Sequence, residues 1–272
     1  MPLVSTGDIL TRRRVVPAFN VIQIEHAHAI VAGAESASSP VALQISENAA
    51  KYHGALAPIA LAARRIAEDA GVDVALHLDH AESEDLVREA IDLGFTSAMF
   101  DASRSPYDEN VARTARMAAE ARAQGVWIEA ELGEIGGKDG AHAPGVRTDP
   151  DEARSFVADT GVDALAVAVG SSHAMTTRTA SLDIELIDRL AEAVPVPLVL
   201  HGSSGVADAE IRRGIDAGMR KVNVSTHLNG ILTRRVREAL VADEALVDPR
   251  KYLGPGRDAM AAEVARLCEV IS

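Results

Sequence analysis

The sequence predicts an α/β fold, a (β/α)8 (TIM) barrel, from three observations. Short runs rich in Val, Ile, Leu and Ala recur at intervals of about 25 to 38 residues, each followed by a segment of helical periodicity. Eight such units fit within the 272 residues, and no linker or low-complexity stretch divides them. The runs are mostly continuously apolar rather than alternating, as strands buried on both faces should be. The whole chain, residues 1–272, is therefore expected to form a single barrel domain.

The strands are expected at Val15 to Asn20, Val41 to Gln44, Val74 to Leu78 and Phe95 to Phe100 in the first half. Those of the second half are expected at Val126 to Glu131, Ala164 to Val169, Val196 to Leu200 and Lys221 to Val224. Gly71, Gly94, Gly125, Gly161 and Gly218 each fall just before a strand, where a left-handed residue would end the preceding helix. Helix starts are marked as well. Asp149-Pro150-Asp151-Glu152 offers an N-cap and a first-turn proline, and Asp183 precedes Ile184, Ile187, Leu190 and Val194 at helical spacing. The longest irregular segment, Gly133 to Thr148, is rich in glycine and reads as a mobile loop over the site.

A formal charge of -13, from 40 acidic against 27 basic residues, repels a phosphate backbone and argues against nucleic-acid or anionic-membrane partners. Arg12-Arg13-Arg14, Arg212-Arg213 and Arg234-Arg235 sit among acidic neighbours and read as solvated faces. Aromatic residues make up only 3% of the chain, too few for a stacking platform. Cys268 is the one cysteine, which excludes an intrachain disulfide and suggests a buried thiol. No stretch approaches the roughly 18 apolar residues of a membrane span. The expectation is a soluble cytoplasmic protein.

Chemistry in such barrels gathers at the C-terminal ends of the strands. Polar groups there are His77, Asp79 and His80 after the third strand, Glu129 and Glu131 on the fifth, His173 after the sixth and His201 after the seventh. A lone histidine near a strand end is more often a hydrogen-bonded core or loop residue, but three histidines and a carboxylate from separate strands match a catalytic zinc site. Asp79, beside His80, suits a general acid/base or a partner that orients a histidine. His77 is expected to be structural. His201-Gly202-Ser203-Ser204-Gly205 and Asn223-Val224-Ser225-Thr226 follow the last two strands, where barrels often bind phosphate. A Schiff-base route would need a lysine inside the barrel, and Lys221 is the one lysine on a strand. His26, His28, His53, His142 and His227 lack strand-end placement, and Trp127 reads as core.

These residues resemble the class II, metal-dependent fructose-bisphosphate and tagatose-bisphosphate aldolases, nearly end to end. The matching segments include Pro17-Ala18-Phe19-Asn20, His77-Leu78-Asp79-His80, Glu129-Ala130-Glu131-Leu132-Gly133, Gly170-Ser171-Ser172-His173, Leu200 to Gly205, Lys221 to Val224 and Asp248 to Leu253. The resemblance implies a lyase that reversibly cleaves a ketose phosphate, such as fructose or tagatose 1,6-bisphosphate, to dihydroxyacetone phosphate and an aldehyde. It implies Zn2+ held by His80, His173 and His201, with Glu131 as an alternative ligand or a close neighbour, and Asp79 as the proton carrier. Gly202, Ser204, Asn223 and Thr226 match positions that hold the ketose phosphate, Asn20 one that contacts substrate, and Arg250 one that reaches a neighbouring subunit's substrate. A homodimer or homotetramer and a monovalent cation (Na+ or K+) near the phosphate are implied too.

The sequence also departs from the family pattern. Asp139 stands where the family's mobile loop carries a proton-exchanging glutamate, Ala174 replaces a glycine, and Thr177-Arg178 replaces a lysine. Ser225 stands where fructose-type members carry aspartate and tagatose-type members alanine. The changes cluster around substrate rather than metal, which suggests retained metal chemistry on a different sugar phosphate as the alternative. Two rival readings are a barrel metallohydrolase, which would not need paired phosphate loops, and a non-catalytic stabilising subunit, which would not need Asp79 and three histidines.

Overall fold

A computed structural model describes residues 3–132 and 147–272. Its eight strands follow one another around a closed parallel barrel: β1 (Val16–Asn20), β2 (Val41–Ser46), β3 (Val74–Ala81), β4 (Ser97–Phe100), β5 (Trp127–Leu132), β6 (Ala164–Val167), β7 (Leu198–Leu200) and β8 (Met219–Val224). The ring closes where β1 pairs with β8, from Val16 opposite Lys221 to Phe19 opposite Val224. α1 (Thr6–Leu10) precedes β1 and α2 (Ile24–Ser36) follows it, while α3 (Glu47–His53) and α4 (Ala57–Asp69) follow β2. α5 (Glu84–Asp92), α6 (Tyr107–Ala123), α7 (Pro150–Thr160), α8 (Ile184–Ala193) and α9 (Asp208–Ala217) follow β3 to β7 in turn. α10 (Thr226–Ala242) and α11 (Pro249–Ile271) complete the chain.

Burial explains where the strands and the apolar runs part company. Phe95, Val169 and Val196 pack in or against the core without joining the ladder, so β4 and β7 begin later and β6 ends earlier than hydrophobicity suggests. β2 and β3 instead run on through the polar Ser46, Asp79 and His80, and β8 begins before Lys221, behind the polar Arg220. Strand alternation sorts the rest. Phe19, Leu43, Leu76, Phe100, Ile128 and Val222 pack in the large core between sheet and helices. Val16, Ala18, Ala42 and Ala75 pack with Ile9 of α1 in a separate cluster, and Met99, Ala164, Ala166 and Val199 form another. These two small clusters form the apolar part of the barrel interior, and α1 stoppers its lower end.

Asp149 caps α7 by accepting from the Asp151 and Glu152 amides, and Asp183 caps α8 through Leu186, as expected. Gly94, Gly125, Gly161 and Gly218 all carry positive φ. Gly71 does not: Ala70 ends α4 in an extended conformation, and the Gly71 amide donates to Glu35 Oε1 at 2.7 Å. Cys268 is buried in α11, which pushes its thiol up to about 11. No helix among the described residues is long and apolar enough to cross a membrane. Of the expected mobile loop, Asp139 and His142 lie outside the described residues. Its last residue, Thr148, is buried between β5 and β6, where its hydroxyl donates to the Leu132 carbonyl and accepts from the Ala168 amide.

Candidate active site

The C-terminal ends of the strands surround a cavity of about 220 Å³. Asp79, His80, His173 and His201 line it, and so do the expected substrate residues Asn20, Gly202, Ser204, Asn223, Ser225 and Thr226. Residues up to 206 positions apart in sequence thus meet because each ends a barrel strand or begins the loop after it.

Asp79 and His80 are consecutive, and on a regular strand they would face opposite sides of the sheet. The β3–β4 register slips between Leu78 and Ala81, so three steps along β3 are matched by two along β4. This irregularity is a bulge, and His80 sits in it with φ at 48°. Both side chains therefore reach the cavity. Left-handed backbone recurs beside the other two histidines, at Ala174 (φ 59°) and Gly202 (φ 69°), where the chain turns sharply out of the barrel.

The three imidazoles pack edge to face, with ring centroids 4.6 to 5.6 Å apart. Their acceptor-donor roles follow from their neighbours, since a carboxylate only accepts. His80 Nδ1 donates to Asp101 Oδ2 at 2.8 Å, and His201 Nε2 donates to Glu129 Oε1 at 2.9 Å. With both rings neutral, as metal ligands are, that leaves His80 Nε2 and His201 Nδ1 as lone-pair nitrogens, and they face each other at 2.8 Å. Two lone pairs so close repel unless a cation lies against both. One ring nitrogen from each of His80, His173 and His201 lies within 4.8 Å of the others, a set that could hold a metal ion. Burial holds His201 well below its ordinary pKa, with the nearby His80 adding to the effect, so its ring is neutral as a ligand must be.

Asp79 is buried, and its Oδ2 accepts from Asn20 Nδ2 at 2.7 Å, while Oδ1 has no partner among the described residues. Burial alone would raise this carboxyl. The electrostatic pull of the neighbouring His80, His201 and Lys221 side chains, with the Asn20 hydrogen bond, outweighs it and holds the group below its ordinary value. Asn20 is in turn fixed by Gln44 Nε2 at 3.3 Å.

Glu131 lies on the far side of His80 from the histidine cluster, with Oε2 3.9 Å from His80 Nδ1, in a second group made by His80, Asp101 and Glu131. Asp101 was not expected from the sequence: it lies just past β4, and only the fold shows that its carboxylate orients His80. Glu129 likewise belongs to the support of His201, not to the cavity wall. Lys221 is inside the barrel, but its Nζ is fully buried and ion-paired to Glu129 Oε2 at 2.9 Å. A Schiff-base role is not supported by that placement. His77, also fully buried, bonds Ser97 Oγ through Nδ1 at 3.1 Å.

On the opposite wall, Ser204 Oγ accepts from the Ser225 and His227 amides at 3.2 Å and so caps α10. A Cβ at Gly202 would come within 2.6 Å of the Ser172 backbone, so glycine is required both for φ and for space. Arg178 is turned away, donating to the Val206 carbonyl at 2.8 Å and pairing with Asp208. Arg250 opens α11 well outside the cavity, exposed and paired only with Asp248 among the described residues.

Fold and site define a (β/α)8 barrel with a three-histidine, carboxylate-supported centre at its C-terminal mouth, the architecture of a metal-site barrel enzyme. The chain belongs to the class-II fructose-bisphosphate aldolase family, whose model matches residues 8–272. It is 41% identical to the fructose-bisphosphate aldolase of Geobacillus stearothermophilus, over 97% of this chain and 95% of that one. Identity to the fructose-bisphosphate aldolase of Staphylococcus aureus strain Mu50 is 38% over the same shares. The crystal structure of the YdjI aldolase from Escherichia coli K12 superposes with a TM-score of 0.85 at 29% identity, covering 99% of this chain and 97% of that one.

Proposed function

We propose that the protein is a zinc-dependent aldolase that reversibly cleaves fructose 1,6-bisphosphate, tagatose 1,6-bisphosphate or a related ketose phosphate into dihydroxyacetone phosphate and an aldehyde. The observation that carries this reading is the pair of lone-pair nitrogens, His80 Nε2 and His201 Nδ1, held 2.8 Å apart beside His173. Zinc bound by these three residues supplies Lewis acidity toward the ketone carbonyl of the substrate. Glu131, on the other side of His80, backs that ligand.

Asp79 carries the proton. In the cleavage direction its Oδ1 takes the hydrogen from the hydroxyl that becomes the aldehyde, and in condensation it returns it. Asn20, bonded to Oδ2, keeps the carboxylate in place. The phosphate of the dihydroxyacetone half is held by Gly202 and Ser204 and by Ser225 and Thr226 at the start of α10, where the positive end of the helix dipole favours an anion. Asn223 offers a buried Oδ1 that has no protein partner among the described residues, suited to a substrate hydroxyl. We place Asp139 in the ketose proton exchange. The exposed Arg250 suits a homodimer or homotetramer in which it serves a neighbour's site.

The test is a cleavage assay on chelator-treated and zinc-restored protein, alongside Asp79→Asn. Chelation should abolish turnover and zinc restore it, while Asp79→Asn should keep its zinc and lose about 10²- to 10⁴-fold in kcat. Activity that survives complete metal removal and is trapped by borohydride would move the chemistry to Lys221.

A further inference from the structure

The barrel interior beneath the histidines is not apolar throughout. Lys221 of β8, Glu129 of β5 and His77 of β3 are all fully buried there, among a lining that includes the small apolar residues Ala42, Ala75, Ala164, Ala166 and Val199. Glu129 uses one oxygen for each neighbour: Oε2 accepts from Lys221 Nζ at 2.9 Å and Oε1 from His201 Nε2 at 2.9 Å. Lys221 Nζ also lies 3.5 Å from His77 Nε2, and His77 Nδ1 continues to Ser97 Oγ, which bonds Thr6 of α1 at 2.9 Å. A polar thread thus runs from the stoppered end of the barrel to the cavity.

A buried ion pair contributes little net stability, because desolvating both charges cancels most of their attraction, and an apolar pair of the same volume would serve packing as well. Its placement has a different effect. A free imidazole can present either nitrogen and rotate about its side-chain bonds. Bonded to Glu129, His201 can present only Nδ1 to the cavity, with its ring plane fixed. Glu129 in turn is held in place in a dry interior by Lys221 Nζ, 2.9 Å from its Oε2.

We propose that Glu129 and Lys221 are positioning residues that fix the tautomer and orientation of His201 and thereby set the affinity of the histidine cluster for its metal. This rests on the reading of His80, His173 and His201 as the metal site. Glu129→Gln keeps the shape, but one amide cannot accept from both His201 and Lys221. The Glu129→Gln/Lys221→Met double variant also removes the charge left behind, and so covers the case in which the single variant does not fold.

The experiment uses the full chain stripped of metal, with zinc affinity measured by competition with a chromophoric chelator, the visible spectrum recorded after cobalt loading, and melting recorded without metal. The expected result is zinc binding weakened by about 10- to 100-fold in the folded variants, with an altered cobalt spectrum. Folded variants that bind zinc like the parent and give its cobalt spectrum would overturn the positioning role, leaving only a packing effect on melting. A parent chain that binds neither ion would overturn the metal reading and this inference together.

Discussion

Ala174 follows His173 with its backbone at φ 59°, a conformation that costs an L-residue about 1 to 2 kcal/mol. Its methyl is exposed, so little packing offsets the strain. Ala174→Gly should therefore stabilise the protein by up to about 1 kcal/mol after the extra chain entropy of glycine is counted. Denaturant unfolding would measure it, and a loss of stability would show that the methyl group is being held by contacts. The same local arithmetic explains what could and could not be seen at single residues. His80, His173, His201 and Asp79 were legible because polar groups at the ends of apolar strands are rare enough to be conspicuous. Asp101 was not distinguishable from any other acidic residue, and Glu129, conspicuous on the fifth strand, could be given no role, since both roles depend on which histidine nitrogen the carboxylate meets, a fact of three-dimensional register.

At the scale of elements, the eight strands were legible because burial on both faces leaves long apolar runs. Their ends were less so: Val169 is buried without being in a ladder, and Ser46 is in one while being polar. The β3 bulge left no trace in the sequence, yet it is what turns two consecutive side chains to one cavity. The junction of the last two units makes a testable unit of its own. Ser204, in the turn after β7, caps α10 across the gap by accepting from two of its first amides. Ser204→Ala should cost about 0.5 to 2 kcal/mol, as the loss of an N-cap does, and should raise KM for the ketose phosphate because the start of α10 loosens. Thermal melting and steady-state kinetics check the two effects; unchanged values for both would mean that water takes over the cap without consequence.

For the whole molecule, Asp208 at the start of α9 ties distant parts of the chain together. It pairs with Arg178 from the segment after β6 and, at 2.6 Å, with Arg266 of α11, which also bonds Glu263. Burial raises the Asp208 carboxyl, but the hydrogen bonds and charges of Arg266 and Arg178 outweigh it and leave it below the ordinary value. A carboxyl depressed in the folded state contributes stability above its unfolded pKa of about 3.9 and loses it as pH falls through the folded value. Partial exposure limits the contribution to about 1 kcal/mol or less. The melting temperature of the parent should thus fall more steeply as pH drops below about 4 than that of Asp208→Asn, and parallel curves would refute the assignment. The joint between β1 and β8 has a further consequence, for the chain during its synthesis. Val16 to Phe19 leave the ribosome early, whereas their hydrogen-bonding partners end at Val224. Until those last residues emerge, the nascent sheet has a bare rim on each side, the kind of surface that adheres to other unfinished chains. Stalling a few residues short of that point would therefore leave a nascent protein prone to clump.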